Sequence, residues 1–173
     1  MKAISLWQPH AQLIAIEAKP FETRSWQTPY RGKIAIHAGK NQEEIAGMQQ
    51  RIKSFKEREL WTEQKDTFLS EMARSVNEWG KAHGLDGFKW KDFSFGAVVA
   101  IADLTAIYPT RDLHLELPAS LFGDFTPGRY AWKLTNVEML KTPYLLRGQQ
   151  GLWNLPMHIS DELLTAEKWK MQS

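Results

Sequence analysis

Lys19-Pro20-Phe21-Glu22-Thr23-Arg24-Ser25-Trp26 is the stretch on which the fold turns, because it forces one kind of local structure to stop and another to begin. Upstream of it, Pro9 supplies a first helical turn ahead of the apolar run Leu13-Ile14-Ala15-Ile16, which predicts a short helix at about 10–18. Pro20 cannot continue the hydrogen-bond ladder and disfavours helical geometry at Lys19, so the helix is expected to end there. The residues beyond then alternate, with Phe21, Thr23 and Ser25 on one face of a strand and Glu22, Arg24 and Trp26 on the other. A helix ending at Lys19 and a strand presenting Glu22 and Arg24 together place an amine, a carboxylate and a guanidinium around one concave site.

On either side the pattern is that of a small α+β domain. Lys2–Leu6 reads as a strand, Thr28-Pro29-Tyr30-Arg31-Gly32 as a turn, and Lys33–Ala38 as another strand. From about 42 to 83 apolar residues recur at helical spacing among many charges (Ile45, Met48, Ile52, Phe55, then Phe68, Leu69, Met72, Val76, Trp79), predicting one long helix or a helical hairpin packed on the sheet. Gly84, Gly87 and Gly96 bound an aromatic-rich loop, and Ala97–Ala102 is apolar enough for a strand buried on both faces. Residues 108–128 hold three prolines and two glycines and predict an irregular excursion. A strand from Arg129 to Leu140, a turn feeding a last strand near Leu152, and a C-terminal helix capped at Ser160 complete the reading.

The chain has 173 residues, 43% of them hydrophobic, which suits a single domain spanning 1–173 with the helical segment as an insertion. It has no cysteine, which removes disulfides, thiolate metal sites and cysteine nucleophiles. No apolar run approaches the roughly 20 residues of a membrane span, and Met1–Trp7 is too short and too soon polar for a secretory signal, so a cytoplasmic location is expected. The net charge of +2 is not that of a strongly basic nonspecific nucleic-acid binder. Its distribution is uneven. Residues 1–40 carry Lys2, Lys19, Arg24, Arg31, Lys33 and Lys40 against Glu17 and Glu22, a local balance of +4 that makes this quarter the first place to look for bound phosphate.

Conventional catalytic signatures are missing: there is no Gly-rich phosphate loop, G-x-S-x-G elbow or H-E-x-x-H, and the five histidines are scattered, so neither a metal nor a cofactor is expected. The Lys19, Glu22 and Arg24 trio is what remains. Glu22 can accept from the amino group of a base while Lys19 and Arg24 meet carbonyl or phosphate oxygens. Trp7 and Trp26 offer aromatic faces of the kind that hold unstacked bases. His37, at a strand end, has the chemistry of a general acid or base. Each also has a plainer role: a surface ion pair on an edge strand, core tryptophans, and a satisfied buried imidazole.

The segments Ile4-Ser5-Leu6-Trp7-Gln8-Pro9, Lys19-Pro20-Phe21-Glu22-Thr23-Arg24 and Tyr30-Arg31-Gly32 running into Ile34–Ala38 resemble, in order and spacing, the ASCH family of the PUA-like superfamily. Gly96–Ala100, Tyr130-Ala131-Trp132, Arg147-Gly148 and Gly151-Leu152-Trp153 extend the likeness. The resemblance implies a PUA-like small mixed β-barrel with flanking helices and a cleft that binds RNA or modified nucleotides. It makes Trp7, Gln8, Lys19, Glu22, Arg24, Trp26, Tyr30, Arg31 and Lys40 candidate contacts for RNA, single-stranded nucleic acid or a modified nucleoside. Some relatives hydrolyse such ligands, acting as ribonucleases or removing an acyl group from cytidine. In a hydrolase of this kind Lys19, Glu22 and Arg24 would be catalytic, with His37 a further candidate. Two departures stand out. The family motif begins G-x-K, and the glycine position here is Glu17; the amidohydrolase members resemble a pattern with Thr at the fourth motif position, where this chain has Glu22, with Thr23 expected on the opposite face. A third role, protein contact through an exposed stripe of the helical segment, would need Phe55, Trp61 or Trp79 at the surface.

Overall fold

The computed structural model describes residues 1–43, 46–47, 50, 67–84, 92–116 and 119–169. Among the described residues, the strands and longer helices with defined bounds follow one another as β1 (Lys2–Leu6), α1 (His10–Ala15), β2 (Phe21–Arg24), β3 (Gly32–Ala38), α2 (Thr67–Ala82), β4 (Ala97–Pro109), β5 (Tyr130–Leu145), β6 (Leu152–Asn154) and α3 (Met157–Thr165). The strands form one mixed sheet in the order β2-β5-β4-β3-β1-β6, in which β1 and β3 run parallel and the other neighbours antiparallel. Register shifts at Ile36/His37 and at three points between β4 and β5 bend the long strands, and the sheet curls into a half-barrel. The curl is deep enough for Arg24 on β2 to donate to the Ser5 carbonyl on β1, 3.3 Å away, although three strands separate them in the sheet.

Both faces of the sheet are covered, which explains the unbroken apolar run of β4. Inside the curl, Ile4, Leu6, Ile34, Ile36, Leu104 and Trp132 close around Ala11 and Ile14 of α1. On the outer face Ala3, Ala35, Val98, Ile101 and Leu140 pack with Ile159 and Leu163 of α3. Successive residues of β1 and β3 thus feed different cores, as the period of two requires. A third cluster seats Leu69, Met72 and Val76 of α2 against Leu13 and Ile16. The apolar stripe of α2 is therefore packed against α1; the expectations for Phe55 and Trp61 lie outside the described residues.

Element ends depart from the sequence reading in instructive ways. Helix α1 stops at Ala15, short of Lys19, because Glu17 takes a left-handed backbone (φ 61°) and its amide turns back to the Ile14 carbonyl. The glycine of the related motif would sit in this conformation at no steric cost. The C-terminal helix begins at Met157, with Pro156 before it, rather than at a Ser160 cap. Ser160 lies in the first turn, buried, where its hydroxyl donates to the Pro156 carbonyl and accepts from the Met1 ammonium. β4 and β5 run longer than expected, to Pro109 and Leu145, since each continues as a curled ribbon past the core. Among the described residues no helix is long and apolar enough to cross a membrane.

Candidate functional site

The Lys19 amide donates to the Leu13 carbonyl at 2.9 Å, and the Leu134 amide to the Pro20 carbonyl at 3.0 Å, so the chain leaving α1 is stitched to the helix end and to β5. On β2, Glu22 is the register partner of the fully buried Trp132 and shares its side of the sheet. The carboxylate is drawn inward and meets both cations: Lys19 Nζ lies 3.0 Å from Oε2 and Arg24 Nε lies 3.1 Å from Oε1. Lys19 is 3% exposed and Glu22 7%. Two charges this deep are tolerable only as partners, since each alone would forfeit its hydration. The contact is ionic rather than a well-directed hydrogen bond: among the described residues Glu22 Oε2 has no aligned donor, and Arg24 Nε no aligned acceptor. A buried acceptor and a buried donor are thus left with hydrogen-bonding capacity.

This trio opens into a cavity of about 460 Å³, within the range of about 300–1,000 Å³ usual for small-molecule pockets. Trp7, 57% exposed, stands at its mouth, and His10 lines it with Nδ1 3.4 Å from Lys19 Nζ. The far wall was not legible in the local sequence pattern. It comes from the excursion before β5 and holds Asp124 and Arg129, a 3.2 Å ion pair. Hydrogen bonds from the Thr126 hydroxyl and amide, helped by Arg129, hold the Asp124 carboxyl below its ordinary range. Arg129 also donates to the Thr23 carbonyl at 3.3 Å, fastening this loop to β2. Thr23 borders the same cavity, and its hydroxyl oxygen accepts from the Asp124 amide at 3.0 Å.

Other candidates sit elsewhere. Trp26 lies beyond the end of β2 and packs edge-on against Trp132, with centroids 4.8 Å apart. Gln8 is fully buried, its amide donating to the Ser94 carbonyl and its oxygen accepting from the Gln12 amide, each at 2.9 Å, so it braces the start of α1. Tyr30 donates to the Lys33 carbonyl, and Arg31 to the carbonyls of Thr28 and Tyr30 within its own turn. Lys40 and His37 line a second cleft, of about 990 Å³, that shares Ser5 with the first. His37 is 2% exposed, and Nε2 donates to the Leu146 carbonyl at 2.9 Å, which leaves Nδ1 as the bare acceptor, without a partner among the described residues. Burial lowers its pKa below the ordinary 6.5, only partly offset by that carbonyl.

Residues 4–110, more than half of the chain, match the ASCH domain. The chain belongs to the ASCH domain family. Two solved ASCH structures from Zymomonas mobilis are similar to it, and the first of them shares its fold. One, of a point mutant, is 16% identical with a TM-score of 0.50 over 95% of this chain and 96% of that one. The other is 16% identical with a TM-score of 0.48 over 95% of this chain and 93% of that one. Nothing among curated proteins matches the chain. Within the ASCH match fall Trp7, Lys19, Glu22 and Arg24, whereas Asp124 and Arg129 lie beyond it.

Proposed function

We propose that this ASCH domain is an RNA- or nucleotide-binding module that recognises a nucleobase, free or modified, in the cavity around Lys19, Glu22 and Arg24. One observation carries the reading: a buried carboxylate with an unaligned oxygen lies between two cations and opens into a cavity beneath an exposed indole. Such a carboxylate suits the exocyclic amine of a base, whose donor would supply the direction that the flanking cations do not. Lys19 and Arg24 then face the base carbonyl and the phosphate, while Trp7 covers the ring. Membership of a family associated with RNA supports the ligand class.

A hydrolase acting through the same cavity is the second reading. The contact between Lys19 Nζ and His10 Nδ1 favours it, since it gives the amine a titratable neighbour with which to exchange a proton. Its substrates would be an RNA phosphodiester, attacked without a metal, or the acyl amide of an acylated cytidine. The test is a panel of free and acylated nucleosides and short RNAs, scored together for thermal stabilisation and for product by mass. Binding without product, weakened at least tenfold in Lys19→Ala, is the expected result. Unchanged affinity in that variant would remove the site. Chelator-insensitive turnover that disappears in both Lys19→Ala and Glu22→Ala would establish the hydrolase instead.

A further inference from the structure

The two clefts share Ser5, and a ridge divides them. Trp7 forms that ridge: its indole lines the first cleft and reaches Gly39 of the second, where a Cβ added to the glycine would lie 3.6 Å from the ring. The second cleft differs chemically from the first. Among the described residues its lining includes Lys40 and Arg147 and no carboxylate, and neither cation is ion-paired to a described residue. Both are nonetheless held in place by the backbone beneath them. The stem of Lys40 crosses Gly96, whose left-handed backbone (φ 64°) and missing side chain make room for it; a Cβ there would lie 2.8 Å from Lys40 Cε. The Leu146 amide donates to the Gly96 carbonyl at 3.1 Å, and the Leu146 carbonyl accepts from His37. Next along, Gly148 lies so close that a Cβ would stand 2.6 Å from His37 Nδ1 and 2.7 Å from Ser5 Oγ. Arg147 is therefore pinned on both flanks, and its free guanidinium projects from a fixed backbone. Leu145, 80% exposed, adds an apolar face to the same cleft.

We infer that the second cleft is a subsite for the neighbouring nucleotide of a single strand. Lys40 and Arg147 meet its phosphodiester, Leu145 meets its base, and Trp7 stands between successive bases. The inference rests on the proposed nucleobase cavity and extends it from one nucleotide to a strand. Two cations without counter-charges among the described residues have no ion pair to give up on meeting a phosphate, which brings the missing charge itself. The first cleft, with Glu22 and Asp124 among its lining, is the poorer place for a second phosphate.

The experiment measures binding of the four homopolymeric hexaribonucleotides and the four matching free nucleosides across a salt series. It compares the intact chain, the double variant Lys40→Gln/Arg147→Gln, and Lys19→Ala. For the tightest-bound hexamer, the double variant is expected to lose about tenfold or more in affinity. Its slope of log K against log salt should fall in magnitude by about 1.4, the share of two phosphate contacts on a single strand. Binding of the matching nucleoside and the unfolding midpoint should stay as they were, because both substituted side chains are exposed. Equal hexamer affinity and slope in the double variant would overturn the subsite, as would an equal loss for hexamer and nucleoside, or hexa-glutamate competing as well as RNA. The Lys19→Ala arm reports separately on the base cavity: if that variant keeps its nucleoside affinity while the double variant loses the hexamer, the cavity assignment fails and the phosphate subsite stands.

Discussion

The two clefts on either side of Trp7 treat positive charge in opposite ways. In the first, Lys19 and Arg24 are drawn down around Glu22, and Arg129 around Asp124. In the second, Lys40 and Arg147 stay at the rim with their heads in water and only the stem or backbone held. Burial explains the contrast. A cation inside the curl must bring its own counter-charge, whereas one whose stem alone is packed keeps its hydration and needs none. The first arrangement favours discrimination, because a ligand must match directions already set by paired groups. The second favours attraction of phosphate, and it should weaken with salt far more than the first.

The contrast breaks most visibly at Glu22. Glu22→Gln leaves a nearly inaccessible Lys19 without its carboxylate, and loss of one partner of a buried pair is expected to cost about 3 kcal/mol or more in denaturant unfolding. A cost below about 1 kcal/mol, as for a surface pair, would show the trio to be solvated after all. A smaller change acts on the turn that delivers Lys19. Glu17→Gly removes the left-handed strain of a side-chain-bearing residue and should stabilise the chain by about 1 kcal/mol, read from the unfolding midpoint. Destabilisation would mean that the turn is held by contacts of the Glu17 side chain instead.

The smallest expected effect belongs to the second cleft and is one of pH. His37 is kept neutral by burial, with a folded pKa below 6.5, while the unfolded chain takes up its proton near that ordinary value. The unfolded state then binds more protons, so stability is complete above about pH 6.5 and declines as pH falls toward the folded value. His37→Gln should make that decline shallower below about pH 6.5. An identical slope in the two proteins would place the acid sensitivity on other groups.

How far the sequence could be read depended on how local each question was. The strand at Lys2–Leu6, the burial of Ala97–Ala102 and the irregular excursion before β5 follow from residue patterns a few positions long, and the structure has all three. Trp26 shows where such patterns stop. Period-two alternation puts it beside Glu22, yet pairing of β2 with β5 ends at Arg24, and the indole turns to Trp132 instead. Gln8 sits beside Trp7 in the motif, yet its amide is spent on Ser94 and Gln12. Ser160 has the composition of a cap and lies inside the helix, because Pro156 four residues earlier already starts it. Asp124 and Arg129 carried no signal of a place in the first cleft, and Arg147 entered only through the family likeness, since each lies about 100 residues or more from the motif it joins.

What the chain by itself determined is the trio. Lys19, Glu22 and Arg24 lie within six residues, Pro20 between the lysine and the strand bars helical geometry at Lys19, and strand geometry puts the carboxylate and guanidinium on one side. What only the tertiary structure decided is that this side faces a cavity, which residues close it, and that a second cleft lined by Lys40 and Arg147 lies across Trp7. Those outcomes depend on the curl of the sheet, which brings Arg24 to Ser5 and Leu146 to His37. Curl is a sum of bulges, twist and two-sided packing over all six strands, and no window of a few residues contains it.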